Sequence, residues 1–99
     1  MPYVIVLDPK ALSDLRHLRA NLRAAVQDAI ERFLRHTPTE VSRSRIKRLR
    51  GLEHPMFRLR VDDVRVYYDV TEDRVEVLAI LDKSQTAGWL QMVEREGEE

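Results

Sequence analysis

The feature that most restricts the fold is a run of alternation in residues 57–70, FRLRVDDVRVYYDV. Phe57, Leu59 and Val61 alternate with Arg58 and Arg60. After Asp62-Asp63 the series resumes as Val64, Val66, Tyr68 and Val70 against Arg65, Tyr67 and Asp69. Successive side chains of a strand point to opposite faces, so two such runs joined by a pair of turn-forming residues predict an antiparallel hairpin. A two-residue turn fixes the register: Val61 faces Val64, Arg60 faces Arg65, Leu59 faces Val66 and Arg58 faces Tyr67. One face then holds Phe57, Leu59, Val61, Val64, Val66 and Tyr68 and must be covered. The other gathers Arg58, Arg60 and Arg65 around Tyr67.

The cover is legible upstream. YVIVL at 3–7 predicts a strand ended by Asp8-Pro9, with Asp8 capping a helix and Pro9 in its first turn. Ala11, Leu12, Leu15 and Leu18 recur at helical spacing. After a break around Arg19–Asn21, with Asn21 as cap, a second helix carries Leu22, Val26, Ala29, Ile30, Phe33 and Leu34 and stops at Thr37-Pro38. Each helix has one apolar stripe to bury, which predicts a helix hairpin on one face of a sheet. The stretch from Pro38 to Gly51 reads as a basic connection with a short helical turn burying Ile46 and Leu49. A turn at Thr71–Arg74 leads into VEVLAIL at 75–81, which is apolar on both faces and suits an interior strand. Continued alternation places its Leu78 and Ile80 on the arginine face. From Thr86 to Arg95, Ala87, Leu90 and Val93 predict a last short helix. The fold class is α+β: a small, antiparallel-dominated sheet with an N-terminal helix hairpin and a short C-terminal helix, one domain over residues 1–99.

Arg60 against Arg65 is an unfavourable cross-strand pair unless solvent screens it or an anion offsets it. Guanidinium groups grip phosphate through paired, charge-assisted hydrogen bonds, and a strand holds their stems at fixed separation. The alternative is a plain solvated face neutralised by Asp62, Asp63 and Asp69. The chain total is uninformative here, because 17 basic and 17 acidic residues cancel. Their distribution is not even: residues 43–68 carry eight basic side chains against three acidic, and residues 69–99 carry three against nine. Arg43, Arg45, Lys47, Arg48 and Arg50 fall in the basic middle, and an acidic tail begins near Glu94. Charge concentrated in this way keeps a nucleic-acid partner open despite the neutral total.

The same composition excludes other classes. With no cysteine there is neither a disulfide framework nor thiol chemistry, and no apolar run approaches the length of a membrane span or a secretory signal. A cytoplasmic protein without membrane attachment is expected. A domain of 99 residues buries a limited share of its surface and gains from a partner. His17, His36 and His54 are widely separated and the acidic residues form no ligand motif, so neither a metal nor another cofactor is expected.

KRLRGL at 47–52, FRLRVDDVRVYYDV at 57–70 and VEVLAIL at 75–81, behind a first strand and two short helices, resemble the RelE/ParE superfamily of toxins from bacterial type II toxin–antitoxin pairs, closer to the RelE branch. The similarity runs over roughly residues 3–90. It implies a metal-independent, ribosome-dependent endoribonuclease that cuts messenger RNA in the ribosomal A site through attack of a 2′-hydroxyl on the adjacent phosphate. On this resemblance Arg58 and Arg60 match strand basic residues that act on the RNA, Arg65 matches an arginine on the scissile phosphate, and Lys83 sits near a later catalytic basic residue. Trp89 stands where the family has a tyrosine. An indole has no titratable hydroxyl, so Trp89 can stack on a base or anchor the last helix but cannot carry a proton. Tyr67, on the hairpin face with Arg58, is the phenol left to take that place and contact the RNA, and the resemblance implies that Arg43, Arg45, Lys47, Arg48 and Arg50 track the RNA backbone rather than read its sequence. The resemblance also implies a cognate antitoxin, the ribosome and messenger RNA as partners, and a toxin–antitoxin hetero-oligomer. Two other functions stay open: a ParE-like, noncatalytic inhibitor of DNA gyrase, and an RNA- or protein-binding module without catalysis.

Overall fold

The computed structural model describes residues 2–97. The chain runs β1 (Val4–Leu7), α1 (Pro9–His17), α2 (Ala20–Ala29), β2 (Ile46–Arg48), β3 (Phe57–Val61), β4 (Val64–Val70), β5 (Arg74–Asp82) and α3 (Thr86–Gly97). The five strands form one sheet in the order β1-β5-β4-β3-β2; β1 pairs parallel to β5 and every other pair is antiparallel. The described residues include no helix long and apolar enough to cross a membrane. The end of the acidic tail, residues 98–99, lies outside them.

Pro9 opens α1 after an extended Asp8 whose side chain makes no capping bond. The break comes at Leu18 and Arg19, both extended, so Arg19 rather than Asn21 precedes α2. Beyond Ala29 the helix continues as a π-helical turn, Ile30–Leu34. Val26, Ala29, Ile30 and Leu34 are buried against Leu59, Val66, Tyr68, Val75 and Val77 of the sheet. Each fully buried Val, Leu or Ile here is worth roughly 1.5–3 kcal/mol relative to exposure. The Tyr68 hydroxyl, inside this core, donates to the Pro38 carbonyl at 2.7 Å, and its ring stacks on Phe57 at 5.6 Å. That bond pins the chain where it leaves the helices.

The hairpin register is the one the alternation demands: Val61–Val64, Arg60–Arg65, Leu59–Val66 and Arg58–Tyr67. Asp62, the first turn residue, takes a positive φ of 53°. Two expectations are corrected. The basic connection holds no helical turn around Ile46; it forms β2, paired to β3, and Ile46 and Leu49 lie on opposite faces of the sheet. Both are covered, because helices pack on both sides there.

The second correction concerns β5. Its register against β4 shifts at Tyr67/Tyr68, so Tyr68 faces Val77 while Tyr67 faces Ala79, and Leu78 is the extra residue. The core needs Val75, Val77 and Ile80, a spacing that strict alternation cannot supply, and the bulge absorbs the difference. Ile80 therefore joins the core, and Ala79 and Leu81 take the arginine face. Beyond Val77, where β1 no longer pairs with β5, the Ile80 N–H is met by the Asp14 carboxylate of α1 at 3.0 Å.

Candidate nucleic-acid interface

The outer face of the sheet has two parts. Toward β5, Tyr67, Ala79 and Leu81 form a small buried cluster beneath Trp89 and Leu90 of α3, with Leu49 at its margin. The Trp89 and Tyr67 rings tilt together with centroids 5.1 Å apart. Thr86, Trp89, Leu90 and Val93 are the half-buried stripe of α3, whereas Ala87 is exposed. Asp82 positions this helix: its carboxylate accepts from the Ser84 hydroxyl at 2.6 Å and from the Ser84 and Gln85 N–H groups at 2.9 and 3.1 Å. The Ser84 hydroxyl bond is the main reason its pKa lies below the ordinary carboxylate value.

Toward β3 the same face is open and basic. Lys47, Arg58 and Tyr67 stand in one cross-strand row, and Arg60 and Arg65 in the next. Arg65 is tied down by its own turn, donating from Nη1 to the Asp62 carbonyl at 2.8 Å and the Val64 carbonyl at 3.3 Å. The positive φ of Asp62 turns that carbonyl into reach. Arg58 lies between Arg65 and Tyr67, and its Nε is buried without a hydrogen-bond partner among the described residues. Burial of the guanidinium, then the like charge of Arg65, and more weakly that of Arg60, lower its pKa; Tyr67 opposes them. Arginine nevertheless remains charged at neutral pH.

Among the described residues no carboxylate is in an ion pair with Arg58, Arg60 or Arg65. The ion pairs among the described residues are Lys10–Asp14 and Arg35–Glu31, and the His54 ring nitrogen also contacts the Asp69 carboxylate. Asp69 is taken by His54 at 2.7 Å and by the Met56 N–H at 2.8 Å, while Asp62 gives Arg65 only its backbone carbonyl. Three like charges with a buried, unpartnered donor are an arrangement whose guanidinium groups could donate to an oxyanion.

The other sequence candidates separate. Lys83 is exposed, just beyond Asp82, which pairs with Val64 and so brings Lys83 to the Arg65 end of the sheet. Tyr67, the phenol expected to stand in for the family's tyrosine and to contact RNA, is 1% exposed and lies beneath Trp89. Trp89 is the half-buried anchor that covers it. Of the basic stretch, Lys47 is on the Arg58 face, Arg43 and Arg50 are exposed in flanking loops, and Arg45 and Arg48 leave that face for the rings of Phe33 and Phe57. Sequence reasoning missed Phe33 and Arg32 as companions of Arg45, because nothing local in the helix marks a residue that meets the chain a dozen positions later. No cluster of three or more His, Cys, Asp or Glu side chains suited to a metal ion occurs among the described residues.

Residues 5–87 match the family described as the ParE toxin of type II toxin–antitoxin system, parDE. No individual curated protein is detectably similar in sequence. Among solved structures, the toxin–antitoxin complex RelBE2 from Mycobacterium tuberculosis aligns with a TM-score of 0.72 at 25% identity, covering 83% of this chain and 99% of that one. The RelB–RelE antitoxin–toxin complex from Methanococcus jannaschii aligns at 0.68 and 19% identity, covering 85% and 96%. A mutant of the E. coli toxin RelE in the free state also aligns at 0.68, with 21% identity over 96% of this chain and 98% of the other. The sheet order, the two helices over its inner face and the helix at its end are the architecture of these toxins. With most of its length matched by the family, this chain belongs to the RelE/ParE superfamily of type II toxin–antitoxin systems.

Proposed function

We propose that this protein is the toxin of a type II pair and a metal-independent, ribosome-dependent endoribonuclease that acts in the cytoplasm on messenger RNA in the A site. The observation that carries the reading is the Arg58–Arg60–Arg65 cluster: convergent, without carboxylate partners among the described residues, and holding a buried guanidinium N–H that none of those residues accepts. A phosphodiester supplies the missing acceptors. In the reaction the 2′-hydroxyl gives its proton to water and its oxygen forms a bond to the adjacent phosphorus, the bond from phosphorus to the 5′-oxygen breaks, the 5′-oxygen takes a proton from water and leaves as a hydroxyl, and a 2′,3′-cyclic phosphate remains. Arg65, held by its turn carbonyls, and Arg58 take the nonbridging oxygens as charge builds on them. Arg60 and Lys83, at the same end of the sheet, offset the charge arriving on the departing 5′-oxygen. Lys47 lies one strand away and holds the backbone that leads into the site. A cognate antitoxin that covers these arginines would form the hetero-oligomer and silence the toxin, a reading supported by the toxin–antitoxin complexes among the similar structures.

A second reading is favoured by the family that matches and by Trp89 in place of a phenol: a noncatalytic inhibitor of DNA gyrase. Purified translation with primer-extension mapping of the message, run beside a gyrase supercoiling assay, separates the two. Cleavage that needs ribosomes and falls by about 10²–10³ in Arg65→Ala supports the nuclease. Intact message with inhibited supercoiling selects the gyrase inhibitor.

A further inference from the structure

The β2 edge carries basic side chains on both sides of the sheet, and only Lys47 belongs to the face just described. On the helix side the Arg45 guanidinium lies 4.6 Å from the centroid of the Phe33 ring, and Arg32 approaches the same ring at 5.4 Å. Arg48 sits 5.2 Å over Phe57, whose ring is itself stacked on Tyr68. A guanidinium laid on an aromatic ring is fixed in orientation while the N–H groups in its own plane stay free to donate. None of these three arginines is in an ion pair among the described residues. Phe33, Arg32 and Arg45 line an open groove of about 450 Å³, with Glu40 its single carboxylate.

We propose that Arg32, Arg45 and Arg48, stacked on Phe33 and Phe57, form a second RNA-backbone-binding surface on the helix side of the β2 edge, which holds RNA without cutting it. Arg45 lies in the bend just before β2 and Arg48 ends the strand, three residues apart in sequence and so at most roughly 10 Å along the chain. That suits separate phosphates of one backbone better than a single small anion. The N–H donors left free in the guanidinium planes match phosphate oxygens, and Glu40 is the carboxylate lining the groove that opposes them. The basic stretch thus divides, with Lys47 leading into the Arg58 site and Arg45 and Arg48 gripping a neighbouring segment of RNA. The inference deepens the RNA-directed reading above and rests on it for the biological target, but the contact itself is independent of cleavage.

The test uses the full chain and a short fluorescein-labelled 2′-O-methyl RNA, which cannot be cut, with fluorescence anisotropy across a salt series. Arg45→Ala/Arg48→Ala is expected to weaken binding about tenfold at moderate salt and to reduce the slope of log K against log salt by about 1.4, the loss of two single-strand phosphate contacts. Combined with Arg58→Ala/Arg65→Ala, the losses in log K are expected to add, as for separate sites. Arg45→Lys, which keeps the charge and loses the stacked plane, should fall between. Both arginines are exposed, so the variants should keep the native far-UV circular dichroism spectrum. Unchanged affinity and slope in the Ala pair overturn the proposal even if the protein cleaves messenger RNA. Tight binding of a poly-glutamate peptide, lost in the same variants and preferred over RNA, overturns it in favour of an acidic protein. Loss of RNA binding in a protein that never cleaves leaves this surface standing and removes the nuclease.

Discussion

Arg58, proposed above to hold phosphate, is costly to the fold. Its Nε is buried unpartnered, and two more arginines stand beside it. Replacing it with a chain of similar shape and no charge removes both penalties, so Arg58→Met is expected to raise stability by about 1 kcal/mol while lowering RNA cleavage by about 10²–10³. Urea unfolding and the primer-extension assay measure the two effects, and a fall in stability would show that Arg58 is structural. Tyr68 is the opposite case, a polar group fully paid for by its bond to Pro38. Burial pushes its phenol well above the ordinary value of 10.0. The folded state therefore keeps a proton that the unfolded chain releases above pH 10.0, and this contribution to stability is present below that pH and lost as pH rises toward the folded value. Tyr68→Phe should be less stable by about 1 kcal/mol at neutral pH, through the orphaned Pro38 carbonyl. It should also lose stability less steeply above pH 10.0, by up to about 1.4 kcal/mol per pH unit. Denaturant midpoints of both proteins across alkaline pH give the comparison.

At the scale of elements, the β3–β4 hairpin holds the arginines at fixed separation, and its turn is where backbone conformation and site chemistry meet. Asp62 occupies the left-handed region at φ 53°, tolerated by Asp but natural to Gly. Asp62→Gly should leave the turn carbonyl on Arg65 and raise stability by up to about 1 kcal/mol, whereas Asp62→Val, β-branched at a positive φ, should lower it by about 1–2 kcal/mol. Thermal unfolding of the two variants checks both signs. The hairpin register was fully legible because alternation plus a two-residue turn admits only one pairing that buries the apolar face. The neighbouring elements were less so. Ile46 and Leu49 are compatible with one helical face or with two faces of a strand, and the choice depends on α3 arriving over Leu49. Similarly, Val75, Val77 and Ile80 announce a bulge only once the helices demand all three.

Over the whole molecule, the neutral total conceals a polarised outer face. Arg60 opposes Arg65 at one end of the sheet, and Asp69 opposes Glu76 at the other, with Glu72 and Asp73 in the adjoining turn. A protein with a formal net charge of zero at pH 7 is accordingly expected to be retained on heparin at low salt and released as salt rises. The Arg58→Ala/Arg60→Ala/Arg65→Ala variant should elute markedly earlier. Passage of the unaltered protein without retention would show that the acidic end masks the basic one.

The sequence by itself determined the hairpin, its register, the convergence of Arg58, Arg60 and Arg65, the apolar stripe of α2 and the buried Ala11 and Leu15 of α1, whereas Leu12, expected in that stripe, is exposed. All of these follow from periodicity within one or two adjacent elements. Only the tertiary structure decided that Asp69 is engaged by His54 rather than by the arginines, that Trp89 closes over Tyr67, and that Arg45 and Arg48 turn to Phe33 and Phe57. These outcomes depend on which distant groups become neighbours when both faces of the sheet are covered. A carboxylate, an aromatic ring or a guanidinium can be satisfied by any of several partners nearby in sequence, and packing alone selects among them.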